Sequence, residues 1–220
     1  MIPFRSSNPQ RRSRGFGFDR LESRALLTGG AGDTFAIVPG TIQQAGGTAT
    51  VAFTLDPAHF TLPRHSLALG VDITPSPGSS LKPLIASIDD PHGNLIPQAF
   101  TSIYNPHLSH LAVASGAATR AVLVPVSFFP NTPGKPATYT VNITAEGNSS
   151  GGFQVSFYLP GDANGDGVVN QADLALTRSA FGTHIGQPGY NPSADVNRDG
   201  RIGKIDIAYV EQNMGVRINP

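Results

Sequence analysis

The chain has 220 residues, room for one large domain or two small ones against a usual domain size of roughly 100–150 residues. Only 14% of residues are charged, while 25 Gly and 19 Pro demand many turns and exclude long helical bundles, yet stay below the level of an unstructured low-complexity chain. With no Cys there is no disulfide, thiolate metal site or cysteine nucleophile, so any metal must be held by oxygen or imidazole.

The net charge is zero but unevenly placed. Residues 1–32 hold Arg5, Arg11, Arg12, Arg14, Arg20 and Arg24 against Asp19 and Glu22, with too little apolar surface to offset the entropy of ordering. A disordered export leader over 1–32 is expected. A nucleic-acid arm would need a basic folded domain behind it, and none follows, so no nucleic-acid partner is expected. No apolar run approaches the roughly 18 residues of a membrane-spanning helix, so no transmembrane segment is expected, and no apolar core of an ordinary secretory signal follows the arginines. The stretch Leu21-Glu22-Ser23-Arg24-Ala25-Leu26-Leu27-Thr28 resembles a short N-terminal motif of exported planctomycete proteins. That resemblance implies an extracellular or cell-surface location.

Residues 33–160 carry the strand signal, apolar and polar side chains alternating with period two. Val51, Phe53 and Leu55 form one row; Leu67, Leu69, Val71 and Ile73 another; then Val122, Val124, Val126 and Phe128; Tyr139, Val141 and Ile143; and Phe153, Val155, Phe157 and Leu159. Turn clusters separate them, among them Pro75-Ser76-Pro77-Gly78, Asp90-Pro91-His92-Gly93-Asn94, Asn131-Thr132-Pro133-Gly134 and Gly147-Asn148-Ser149-Ser150-Gly151. The pattern predicts an antiparallel β-sandwich of about eight strands, closed by a hairpin of 138–143 with 153–159. Pro125 cannot donate to a ladder, which predicts an edge or a bulge there.

Asp162, Asn164, Asp166, Asn170 and Asp173 stand at positions one, three, five, nine and twelve of a twelve-residue stretch with Gly167 at six, the spacing of an EF-hand calcium loop. Shifted by 33 residues, Asp195, Asn197, Asp199, Gly200 and Asp206 repeat it in register, which excludes chance. Ca²⁺ takes six to eight oxygens, so a short chain must wrap and aim alternate side chains inward. At position seven only a carbonyl is needed, which Val168 and Arg201 supply. Val169 and Ile202 at position eight are expected to pair the loops back to back. Each loop leads into a helix that stops at Gly182 or Gly215, with Leu174 and Phe181 of the first expected to face Ile207, Val210 and Met214 of the second.

An EF-hand has a helix before its loop, whereas Leu159-Pro160 precede the first loop here. Loop then helix, repeated once, with Asp at position twelve, resembles a type I dockerin over about 161–215, through Gly161-Asp162-Ala163-Asn164-Gly165-Asp166-Gly167 and Ala194-Asp195-Val196-Asn197-Arg198-Asp199-Gly200. The resemblance implies Ca²⁺ in both loops and docking through the helices onto a cohesin-like domain. The fold class expected is therefore a β + α chain, an N-terminal antiparallel β-sandwich over 33–160 and a small α-helical dockerin over 161–217. Gly203 replaces the ninth-position ligand of loop two, so that site is expected to be weaker. Gln171, Ala172, Lys204 and Ile205 occupy positions ten and eleven, where a Ser/Thr recognition pair is common in such domains; they are the expected partner-binding residues.

Some 55 residues cannot bury a sufficient core, so calcium should be coupled to folding of this module, and chelation is expected to unfold it while leaving the sandwich intact. The sandwich offers little for catalysis. Glycoside hydrolysis needs two positioned carboxylates, and Asp89-Asp90 precede a turn that they are expected to cap or solvate. His59, His65, His92, His107 and His110 lack metal-site spacing on a helix, and His65-Ser66 lacks an acid partner. A binding protein, not an enzyme, is expected, the sandwich serving as adhesion or interaction module. The alternative is an accessory protein of polysaccharide breakdown, with a carbohydrate-binding or hydrolytic role.

Overall fold

The computed structural model describes residues 33–63, 66–96, 111–113, 120–127 and 135–219. The expected leader over 1–32, Phe128, the turn over 131–134, and His65, His107 and His110 lie outside the described residues.

Two antiparallel sheets face each other. One has the order β1 (Thr34–Ile42), β10 (Gly151–Tyr158), β4 (Ser66–Pro75), β8 (Arg120–Ser127), β7 (Leu111–Val113). The other has the order β2 (Thr48–Leu55), β9 (Ala137–Ala145), β5 (Pro83–Asp89), β6 (Leu95–Ile96). The period-two rows become the inner faces: Val51, Phe53, Leu55, Leu67, Leu69, Val71, Ile73, Tyr139, Val141, Ile143, Phe153, Val155 and Phe157 are all buried. Phe53 bridges the layers, stacked on Tyr139 of its own sheet at 5.3 Å and tilted against Phe157 of the other at 4.2 Å.

Two strands escape the simple alternation. β5 has a bulge between Ile85 and Ser87, so its buried residues Pro83, Ile85 and Ile88 are two apart before the bulge and three apart across it. β1 contains Pro39 and Gly40, which an edge strand tolerates; a Cβ at Gly40 would lie 2.3 Å from the Phe153 ring. The expected closing hairpin is not formed. β9 pairs with β2 and β5, and β10 with β1 and β4, so the turn over 146–150 carries the chain from one sheet to the other. Pro125 lies opposite Ala68, beyond the three residues of β8 that β7 covers.

Two helices follow, α1 (Gln171–Ser179) and α2 (Lys204–Gln212), and then β11 (Arg217–Ile218), which pairs with β3 (Phe60–Thr61). They do not stand apart from the sandwich. Val169, Leu174, Val196, Tyr209, Val210 and Val216 belong to the same buried apolar cluster as the sandwich core. The outer face of β4 is covered as well: Ala68 and Gly70 are buried, and Tyr158 lies so close over Gly70 that a Cβ there would be 2.2 Å from its ring. At Pro160, where the chain leaves β10, the ladder of β4 is completed by a side chain. Asn213 Oδ1 accepts from Ala68 N–H at 2.8 Å, and its Nδ2 donates to the carbonyls of Ala68 at 2.9 Å and Pro160 at 2.7 Å.

Candidate metal centre

The two twelve-residue loops fold alike because the same side chains tie down the same amides. In loop one Asp162 accepts from the N–H groups of Asp166 and Gly167 at 3.1 and 2.9 Å. In loop two Asp195 accepts from Asp199 and Gly200 at 3.1 and 2.8 Å. Asn164 and Asn197 each accept from the N–H two residues on, at 2.9 and 3.1 Å. Asp166 and Asp199 do the same for Val168 and Arg201, at 2.9 and 2.8 Å. The twelfth-position carboxylates close each turn: Asp173 accepts from Asn164 and Asn170 at 3.1 and 2.8 Å, and Asp206 from Asn197 and Gly203 at 3.3 and 2.6 Å. Gly167 and Gly200, at φ +79° and +87°, allow the reversal at position six, a left-handed conformation that costs glycine little.

Each loop thus ties three carboxylates and an Asn amide oxygen to the amides of its own turn, and oxygen groups of this kind are the type that hard cations take. Among the described residues no three acidic or imidazole side chains form a group that could hold a metal ion by themselves. The electrostatics fit a cation. Burial first, with help from neighbouring Asp173 and Asp166, pushes the Asp162 carboxyl up to about 6 against the pull of the Gly167 N–H. Burial and nearby Asp195 push Asp206 up to about 7 against the Gly203 N–H. Asp173 and Asp195 are raised as well, again chiefly by burial.

The repeats differ at their edges. Asn170, expected at ligand position nine, caps α1: its side chain accepts from Ala172 N–H at 2.7 Å. Gly203 gives α2 no side-chain cap. In loop two alone, Tyr190 Oη donates to Asp195 Oδ2 at 2.6 Å. Position four is Gly165 in loop one, at φ +72°, and Arg198 in loop two, at φ +59°. Arg198 donates to Asp33 at 2.6 Å and also to the Pro192 carbonyl, and stands over the Tyr158 ring at 4.5 Å. Burial pushes the Asp33 carboxyl up to about 6 despite that guanidinium. Nothing in loop periodicity marks Tyr190; Arg198 is visible only as the non-glycine partner of Gly165.

Two packing expectations are corrected. Val169 and Ile202 do not pair with each other. Val169 exchanges hydrogen bonds with Val216 and Gly215, and Ile202 with Thr183 and Gly182, so each loop is clasped by the segment that follows the other helix. Phe181 does not face α2. The helix stops at Ser179, with Ala180 as its C-cap, which leaves Phe181 in the turn beyond it and 49% exposed. Leu174 and Val210 are buried and belong to one apolar cluster. Of the four expected partner-binding residues, Gln171, Ala172 and Lys204 are exposed, and Ile205 is half-buried against the shared core. In the sandwich, Asp90 caps its turn, accepting from the N–H groups of His92 and Asn94 at 2.8 Å each.

A duplicated loop-then-helix module with EF-hand spacing and no entering helix belongs to the class of small calcium-binding docking domains. Residues 160–215 match the family model of the dockerin type I domain, and this part of the chain is a type I dockerin domain. Domains of that family bind calcium, are not catalytic, and dock onto cohesin domains. The match covers about a quarter of the chain. No curated protein and no solved structure matches the chain. Among the described residues no helix is long and apolar enough to cross a membrane.

Proposed function

We propose that this is an exported calcium-binding protein that docks onto a cohesin-like partner outside the cytoplasm, the sandwich over 33–160 acting as an adhesion or interaction module and the dockerin occupying 161–217. Calcium is held at two sites. Loop one uses Asp162, Asn164, Asp166, the Val168 carbonyl, Asn170 and Asp173; loop two uses Asp195, Asn197, Asp199, the Arg201 carbonyl and Asp206. The second site is the weaker, because Gly203 offers no side-chain oxygen and water must take its place. Bound calcium neutralises carboxylates that otherwise repel one another, which fixes the loops and thereby the helices that follow them.

The observation that carries this reading is the matching set of hydrogen bonds in the two loops, within a segment of dockerin type. Its test is binding of the purified chain to immobilised type I cohesin domains, with calcium and with chelator, beside calcium calorimetry on metal-stripped protein. Two binding events and calcium-dependent capture support it. Absence of any calcium heat overturns it.

A further inference from the structure

Loop two is gripped by the sandwich from inside the metal-binding turn. Between its ligand positions one and three, the Val196 carbonyl accepts from Tyr158 Oη at 3.0 Å. Between positions three and five, Arg198 reaches out to the buried Asp33 and stacks on the Tyr158 ring. Tyr158 is itself seated over Gly70 in the middle of the five-stranded sheet. The equivalent place in loop one is Gly165, which adopts the left-handed conformation without a side chain. Arg198 adopts it at a steric cost that glycine avoids, and its side chain is committed to the sandwich.

We infer that calcium in loop two and the order of the sandwich are thermodynamically linked through Tyr158 and Arg198, so that the dockerin acts as a calcium-dependent clasp on the five-stranded sheet. This rests on the calcium reading above, and goes beyond it by making the sandwich itself a responder. The physical basis is reciprocity: if an ordered loop two favours the packed sheet face, the packed face favours the ordered loop by the same factor. Asn213 and the shared apolar cluster give that coupling its mechanical continuity, since α2 begins at the end of loop two and ends on β4.

The test is amide hydrogen exchange on the full chain, with calcium and with chelator, read at β4 and β10. Calcium should raise protection of the Ala68 and Gly70 amides by about tenfold, within the roughly 5- to 150-fold range of coupled sites. Arg198→Gly, which copies loop one and suits the left-handed backbone, should cut that calcium-dependent gain to about twofold or less. Tyr158→Phe, which leaves every loop residue in place, should cut it in the same sense. A purely structural role for either side chain would lower protection equally with and without calcium, and would overturn the linkage. Unchanged β4 protection on chelation, in protein whose calorimetry registers calcium, overturns the linkage and leaves the docking proposal standing. Failure of calcium to bind overturns both.

Discussion

Asn213 is the residue on which the joint between the two parts can be measured. It is 0% exposed, and its amide supplies the partner that β4 lacks once β10 turns away at Pro160. In Asn213→Ala the N–H and C=O of Ala68 are left without it inside a packed interface. Each orphaned buried polar group costs about 1–3 kcal/mol, so these two should cost the variant about 2–6 kcal/mol. Against the roughly 5–15 kcal/mol of a typical domain, that is a large fraction of the total. Urea unfolding in saturating calcium should give a lower midpoint with an unchanged slope, the mark of a stability change without a change in exposed area. A loss below about 1 kcal/mol, the ordinary effect of a point change, would refute the view that this amide is an integral part of the sheet.

Asp162→Ala and Asp195→Ala should each remove one of two calcium-binding events in calorimetry, the former abolishing the tighter one; retention of both events in either variant would contradict the ligand assignment. Calcium affinity should fall as pH drops from 7.5 to 5.5, because Asp206 and Asp162, raised to about 7 and about 6, hold protons that calcium must displace. For the metal-free chain the sign is opposite: a carboxyl with a folded value above its unfolded 3.8 binds its proton more tightly when folded, so stability falls as pH rises from about 4 to about 7. Thermal melts with chelator at pH 5 and pH 7.5 check this, and a higher midpoint at pH 7.5 would count against it. Gly70→Ala should destabilise the chain by about 1–3 kcal/mol, because its Cβ would lie 2.2 Å from the Tyr158 ring; an unchanged urea midpoint would show that the ring moves freely.

The parts legible in the sequence were those whose cause is local. Inner-face rows on β2, β4, β9 and β10 follow from period-two alternation, and the calcium loops follow from spacing that a twelve-residue turn imposes on itself. β5 was hidden because its bulge at Ile85 and Ser87 breaks the alternation, and β1 because Pro39 and Gly40 weaken the strand signal. The turn over 146–150 fits a hairpin as well as a crossing between sheets, since turn residues encode reversal and not the partner. The roles of Asn213 and Arg198 at the sandwich were illegible for a different reason. Their partners, Ala68 and Asp33, lie 145 and 165 residues away, and their side chains serve no local motif.

The sequence repeat is two-fold, but its surroundings are not. Leu176 of α1 is 39% exposed, while Tyr209, 33 residues later in α2, is 1% exposed; Ala180 at the end of α1 matches Asn213 at the end of α2. Helix α2 has therefore exchanged free surface for the sandwich, and α1 has kept it. The same divergence appears in the loops, where Gly165 leaves loop one unattached at position four and Arg198 fastens loop two. Separate sources of stability for dockerin and sandwich, as composition alone suggested, do not fit a single apolar cluster that runs from Phe53 and Phe157 to Tyr209 and Val216. Chelation should accordingly loosen β4 and β10 along with α2, the helix seated on them, while α1 answers to its own loop.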